Sequence, residues 1–575
     1  MGFLYSTAMQ RSCHQCQMEF QITGEDLKFY EKISPEFGGK KYQIPPPTLC
    51  PECRQQRRYA CRNDRNYYTG TCHLCRKSLI TSYSPDKKLP ILCEACFFGD
   101  QWDPLSFGQA FDFIKPFFDQ FKVLRETVPR LGIYHTQSEN SDYTIHSSRN
   151  RNCYMCSSII DCEDVFYSDF TFECKDCLDL FSCTKMTLCY DCLFSEECYR
   201  CDWCENCNNL TECTLCFDCR GSQNLIGCTG LRKQKNKILN QAATPESIRE
   251  TTMKLKTDPA FRAEFEEKFR VLRLAHPHPS IWMINAEDCS GNYIYNSKNA
   301  RSCYNVKRME DTTFVYEANA HVNTMDCCRI GNGELLYECA SIIDLKVAAF
   351  CNLTYQCDRM YYCDNCIGTS ECFGCFGLKK HRHCILNKQY SKEEYERLVP
   401  QIIEHMRHDG AAMNPSEASG SWGEFFPAEI SVFGYNESKA HEWYPLNESE
   451  TKKRGWKWNE YQQPMSASNR TIPGENLPPD IRDIPDDILN WAVTCEVSKR
   501  PFKIVKQELK FYRDNGLPVP RRSPKQRHYD RMGPINIRTL YDRSCGACRK
   551  SIQTIYSPER PEIVYCEECY LKTVY

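Results

Sequence analysis

Cysteines in three paired CxxC sets are the clearest chemistry in this chain, which has 42 cysteines among 575 residues. Cys13 and Cys16 go with Cys50 and Cys53, Cys72 and Cys75 with Cys93 and Cys96, and Cys545 and Cys548 with Cys566 and Cys569. A CxxC turn holds two thiolates at ligand spacing, and two such knuckles complete a tetrahedral site with Zn–S near ~2.3 Å. Four sulfurs close the coordination sphere, so Zn2+ in these three sites would hold structure and leave no position for a reacting water. Redox use of CxxC calls for a βαβ setting, which the flanking sequence lacks.

Other reactive patterns are missing. There is no HExxH, no Gly-rich phosphate loop, no dinucleotide fingerprint and no supported Ser/His/Asp order, so the expectation is a protein that is not an enzyme. No small-molecule substrate is identified. The 13 histidines are scattered without ligand spacing. Basic, aromatic segments flank the ribbons: Arg54, Arg57, Arg58, Arg62, Arg65 and Tyr67 at one end, Arg521, Arg522, Lys525 and Arg527 at the other. Such groups suit phosphate contact and base stacking. The plainer alternative is a solvated basic face.

These residues sit on elements that are written more than once. Residues 72–96 and 545–569 share a CxxC-x17-CxxC frame with RKS and YSP in common, and the Ser-Pro turn between β-branched runs predicts a hairpin. Cys13, Phe20, Leu27, Phe29 and Tyr30 recur as Cys495, Phe502, Leu509, Phe511 and Tyr512, at one constant offset. In that copy Cys16 becomes Ser498, and CPECR at 50–54 becomes SPKQR at 523–527. It reads as a metal-free ribbon held by packing.

Between the ribbons, residues 153–228 hold sixteen cysteines, each at a multiple of three. Cys156, Cys177, Cys198 and Cys219 stand 21 apart, and the block at 288–387 carries Tyr295, Tyr316 and Tyr337 at the same spacing, with Cys351 paired to Cys372. Fixed columns at such a period predict a β-solenoid of about 21-residue coils. The central cysteines then have three readings: a buried ladder of small side chains, additional Zn2+ sites within the solenoid, or disulfides.

The organisation in chain order is a type A zinc ribbon (1–63), a type B ribbon (64–102), a capping helix (103–131) for the first turn of the stack, and solenoid block 1 (132–240). A helical insertion (241–280), block 2 (281–390), a helix (391–408) and an irregular aromatic, Pro-rich arm (409–485) follow. A type A ribbon without ligands (486–535) and a second type B ribbon (536–575) complete it. The fold class is mainly β, with ribbons at both ends and a few capping helices.

Residues 13–63, with CxxC, a Phe-x-Ile core, Phe-Tyr, Pro and CPxCRxxR, resemble a zinc-ribbon domain family of bacterial proteins. The CxxC-x17-CxxC copies resemble a second ribbon family, and the whole chain resembles bacterial cysteine-rich multi-zinc-ribbon proteins. The resemblance implies metal ligation by the twelve ribbon cysteines and leaves the 495–527 copy in doubt; it implies no activity.

Formal net charge is −2, with 73 basic and 75 acidic residues, but the charge is uneven. Residues 153–219 carry fourteen acids against three bases, while 54–77 carry seven bases against one acid. No apolar run reaches the roughly 20 residues of a membrane span, and the N-terminus lacks a signal-peptide pattern, so a cytoplasmic location and no membrane partner are expected. The functional expectation is a zinc-binding scaffold that binds a protein or ribonucleoprotein partner along an extended solenoid face. The alternatives are RNA or DNA binding through the ribbons and a redox or metal-buffering cysteine protein.

Overall fold

The structure, a computed structural model, describes residues 8–327, 329, 333–334, 337–338, 341–343, 345–350, 353–412, 422–461 and 470–575. Strand and helix are almost equal, at 29% and 28%, so the chain carries more helix than a mainly β reading expects. Helices outside the ribbons make up the difference, Pro245–Thr257, Pro259–Ala275 and Lys392–Ala412 above all.

The two cysteine-rich blocks share one rule of construction. Each segment pairs in parallel with the segment twelve residues later: Glu139 with Arg151, Arg151 with Glu163, Glu163 with Lys175, Lys175 with Thr187. The same register holds at Tyr304 with Tyr316, Asp358 with Ser370 and Ser370 with Arg382. The expected 21-residue coil is therefore corrected: among the described residues of the two blocks, no ladder pair is 21 apart. The 21-residue columns arise because 21 and 12 are both multiples of three, so both spacings select the same inward phase. Cys351 lies outside the described residues.

That three-residue phase has a backbone cause. Every third residue from His146 to Leu239 is left-handed, with φ between 47° and 68°. A left-handed residue turns the chain sharply, and twelve residues with a turn at every third give four short sides per repeat. Asp161, Asp164, Asn206 and Asn209 suit such corners, because a short polar side chain tolerates this region better than most.

The residue after each corner points inward, and there the cysteines sit. Ladder bonds use the amides of the other two positions, such as Glu163 N–H to Cys174 O and Asp164 N–H to Arg151 O. The inward amide is left to a side chain twelve residues earlier. Met186 N–H donates to Cys174 Sγ at 3.3 Å, Cys375 N–H to Cys363 Sγ at 3.4 Å, and Leu180 N–H to Ser168 Oγ at 3.0 Å. The thiols donate in turn, as Cys192 Sγ does to the carbonyls of Tyr190 and Cys201, both at 3.4 Å. An inward position thus takes a side chain that is small, packs well and offers a lone pair to an otherwise unpaired amide. Burial pushes the Cys153, Cys228, Cys303 and Cys366 thiols up to about 12. The described cysteines form no disulfide.

The chain divides into two compact units that do not follow chain order: Met1–Ile133 with Met283–Gln463, and Tyr134–Trp282 with Pro464–Tyr575. The N-terminal ribbons therefore share a unit with the second coil block, and the C-terminal ribbons with the first. The helix predicted at 103–131 is corrected accordingly. It spans Phe117–Thr127, begins after Pro116, and packs on the last coils of the second block, with Phe117 5.3 Å from Phe373.

In the first unit the ribbon hairpin Met9–Ser12/Glu19–Ile22 leads into helices Gly24–Ile33 and Pro51–Ala60. Part of the predicted arm packs here, with Trp422, Phe425 and Phe426 buried and Trp422 stacked on Phe373 at 6.2 Å. Residues 413–421 and 462–469 of that arm lie outside the described residues. In the second unit the ligand-poor ribbon repeats the order: hairpin Ala492–Thr494/Pro501–Phe502, then helices Lys506–Asp514 and Pro524–Met532. The coil block of each unit ends in a β-turn-β (Lys235–Ile238 with Gln241–Ala242, Cys384–Ile385 with Lys388–Gln389) followed by a capped helix. Thr244 Oγ1 and Ser391 Oγ cap these helices by accepting the N–H groups of Ser247 and Glu394.

Candidate metal centres

Each of the three CxxC sets folds into one cluster. In every set the four Sγ atoms lie within 4.8 Å of one another. The contacts that join the two knuckles are 3.7 Å for Cys16–Cys50, 3.7 Å for Cys75–Cys93 and 3.8 Å for Cys548–Cys566. A tetrahedron with metal–sulfur bonds of ~2.3 Å has edges of about 3.8 Å, so the sulfurs already stand at ligand positions. Among the described residues no central cysteine joins such a cluster.

The knuckle that positions the first two sulfurs is the same in all ribbons. Cys13 N–H donates to Met18 O while Gln17 N–H donates to Cys13 O, and Cys72/Lys77/Arg76 and Cys545/Lys550/Arg549 repeat the pair. Gln17, Arg76 and Arg549 are left-handed, at φ 63°, 62° and 66°. The ligand-poor ribbon keeps this turn: Cys495 N–H to Arg500 O, Lys499 N–H to Cys495 O, and Lys499 at φ 54°. Where Cys50 heads the helix Pro51–Ala60 as a ligand, Ser523 heads Pro524–Met532 as a cap, its Oγ accepting from Gln526 N–H at 3.3 Å. The second knuckle has exchanged a cluster thiol for a helix cap.

Electrostatics fit a cation. Burial raises the Cys72 thiol, but the amides of Cys93, Cys75 and Leu74 outweigh it and bring the group down to about 6; Cys545 falls to about 6 in the same way. The thiols around them move oppositely. Cys96 is pushed up to about 12 by burial and by Cys93, Cys75 and Cys72, and Cys569 reaches about 12 beside Cys566, Cys548 and Cys545. In the first ribbon Cys13 is held far below its usual value by Cys50 and Cys53, while Cys50 rises to about 12. Four sulfurs this close cannot all ionise unless a cation sits among them.

The bases singled out from sequence are placed differently. Arg54, Arg57, Arg58 and Arg62 are 1%, 2%, 0% and 2% exposed, so they form no solvated basic face. Arg54 and Arg58 meet Asp326 at 2.8 and 3.4 Å, and Arg57 meets Glu338 and Glu424, both at 2.7 Å. Arg62 pairs with Asp64 at 2.7 Å and Arg65 with Glu442 at 3.4 Å, while Tyr67 is half-buried. At the other end Arg527 is buried on Asp179 at 2.7 Å. Arg521 is half-buried; Arg522 is exposed but paired with Glu496 and Asp530, and Lys525 is exposed.

Sequence reading missed the acids that bind these arginines. Arg531 joins Arg527 on Asp179 at 3.0 Å and reaches Asp191 at 3.2 Å. Asp179 and Asp326 are 147 residues apart, the same separation as the similar segments that end the two blocks, IGCTGLRKQKNKILN at 226–240 and FGCFGLKKHRHCILN at 373–387. Both are left-handed corners of the coil, at φ 62° and 58°. Arg54/Arg58 and Arg527/Arg531 are i,i+4 pairs on one helix face. A ribbon helix thus grips one coil corner in each unit. The 147-residue offset together with R-x-x-x-R was the available signal.

No protein-family model matches the chain, and no curated protein matches its sequence. The ribbon reading rests on the four-sulfur geometry. No helix among the described residues is long and apolar enough to cross a membrane.

Proposed function

We propose that this protein is a zinc-bound, non-enzymatic scaffold in which a β-solenoid of four-sided, twelve-residue coils presents a repeating charged face to a protein partner. The observation that carries this reading is the exposed corner column, where residues twelve apart stack as pairs. Arg149 meets Asp161 at 2.7 Å and Lys185 meets Glu197 at 3.5 Å. Exposed pairs of this kind add little stability, so their regular spacing is better used as a surface for recognition. Zinc suits the three closed sites, and each contributes on the order of 10 kcal/mol of binding free energy to a ribbon too small for a large core. Cross-linking of the full chain to captured protein at near-physiological salt tests the reading. Cross-links concentrated at Lys175 and Lys185 support it; no captured protein, or cross-links elsewhere only, counts against it.

RNA binding is kept as a second reading on one observation. Both type B knuckles expose an Arg-Lys pair, Arg76–Lys77 and Arg549–Lys550. Retention on RNA at about 50 mM salt that is lost in Arg76→Glu/Arg549→Glu supports it, and no retention at that salt removes it. A redox role for the central cysteines has less support, since their thiols are buried and hydrogen-bonded within the coils.

A further inference from the structure

The second unit contains a cavity of about 690 Å³ between the coil block, the helix Pro245–Thr257 and the ligand-poor ribbon. Its origin is legible by comparison with the first unit. There, the ribbon carries the small hairpin Glu36–Phe37/Lys40–Lys41, and Phe37 packs 6.5 Å from Tyr361 and 6.1 Å from Tyr395. The residues 147 positions earlier than that tyrosine pair are Thr214 and Ile248, and both line the cavity. The chain from Tyr30 to Cys50 spans 20 residues, whereas that from Tyr512 to Ser523 spans 11, so the hairpin has no counterpart in the second unit. Gly516, which aligns with Ser34 just before the hairpin, lines the cavity too.

The helix facing the space has changed to match. Val399 and Ile403 are fully buried in the first unit, and their counterparts in the cavity wall are Thr252 and Lys256. A space left only by deletion would be expected to close on apolar residues. This one keeps an apolar floor at Ile248, Ile481 and Met253, and it has gained charge. Five bases line it (Arg200, Arg249, Lys256, Arg482 and Arg513) against three acids. The acids are spoken for: Asp202 bonds Lys256 at 2.7 Å, Glu212 lies 4.0 Å from Arg200, and Asp480 pairs with Arg482. Arg249 and Arg513 have their carboxylate partners, Glu246 and Asp486, outside the cavity lining.

We propose that this cavity is a binding site for a small amphipathic anion, an apolar body carrying one carboxylate, sulfonate or phosphate group. Its volume lies within the range of small-ligand pockets. The apolar body rests on Ile248, Ile481 and Met253, and the anionic head faces the excess of guanidinium groups, Arg249 and Arg513 first. This site is independent of the scaffold reading, because it uses neither the metal ligands nor the corner column of Arg149, Asp161, Lys185 and Glu197.

Fluorescence titration of the full chain with 1-anilinonaphthalene-8-sulfonate, an aromatic sulfonate, tests it. The expected result is one saturable site per chain. Met253→Glu and the double variant Arg249→Glu/Arg513→Glu should each weaken binding at least tenfold. These side chains are exposed, so the fold is kept, and Arg470→Glu elsewhere in the unit should leave binding unchanged. Dodecanoate should displace the probe and dodecanol should not. Absent or non-saturable binding, or equal affinity in the cavity variants, overturns the site. Equal displacement by dodecanol overturns its preference for an anion.

Discussion

Arg527 and Arg531 on Asp179, like Arg54 and Arg58 on Asp326, show how residue type misleads when its setting is unknown. A run of arginines next to aromatic residues reads as a phosphate-binding face, yet here the guanidinium groups are buried against coil carboxylates. Removing one partner of such a pair leaves a buried charge and costs about 3–5 kcal/mol. Arg527→Met should therefore lower the stability of the second unit by that amount in chemical denaturation, and should leave any RNA retention of the folded protein unchanged. His278 gives a second residue-scale expectation. Its ring is buried, Nδ1 lies 3.1 Å from Tyr556 Oη and Nε2 lies 3.0 Å from Arg273 O. Burial and the nearby Arg273 lower it from 6.5 to about 4. Because the folded value is the lower one, the unfolded chain binds the extra proton between these limits. The stability is full above about pH 6.5 and is lost as pH falls toward 4, at about 3 kcal/mol for the whole shift. The difference in unfolding free energy between the parent and His278→Gln should shrink by about 2 kcal/mol from pH 7 to pH 5. A difference that does not change with pH would contradict a neutral, buried His278.

At the scale of elements, the ribbons were legible because a metal site imposes fixed spacing on the residues that make it. Both type B ribbons have a hairpin, Tyr68–Thr71 with Ser78–Thr81 and Tyr541–Ser544 with Ser551–Thr554, but it turns at the CxxC knuckle and not at the predicted Ser-Pro; the run after Ser-Pro pairs elsewhere, Ile91–Leu92 with Arg130–Leu131 and Val564–Tyr565 with His278–Pro279. The coil was legible only in its phase. A three-residue period marks which side chains point inward, but the number of triplets per turn depends on corner geometry, which Cys, Ser and Leu at inward positions do not encode. Left-handed corners held by ordinary L-residues are the unusual feature, and each carries a steric cost of roughly 1–2 kcal/mol except at Gly, Asn or Asp. Asn209 is an exposed corner at φ 52°. Asn209→Gly should leave stability within about 0.5 kcal/mol, whereas Asn209→Val should lower it by about 1–2 kcal/mol, since a β-branched residue fits this region worst. Equal effects in thermal unfolding would contradict the corner assignment.

For the whole molecule, chain order proved a poor guide to neighbourhood. The ribbon copies and the 147-residue repeat are visible in sequence, but nothing in it says that Cys13 shares a unit with Tyr362 while Cys495 shares one with Tyr167. The long-range partners that decide this, Asp326 and Asp179, look like any other acid in an acidic block. Once paired, the units have the same parts: a coil block, a capped helix after it, a type A ribbon gripping a coil corner, and a type B ribbon. They differ in their number of four-sulfur clusters, since one type A ribbon has lost three of its four sulfurs yet keeps its turn and both helices. Native mass spectrometry of the purified chain tests this account most directly. It should show three zinc ions per chain, still three in Cys495→Ser and two in Cys548→Ser. Four or more ions, or a loss of zinc on changing Cys495 alone, would contradict it.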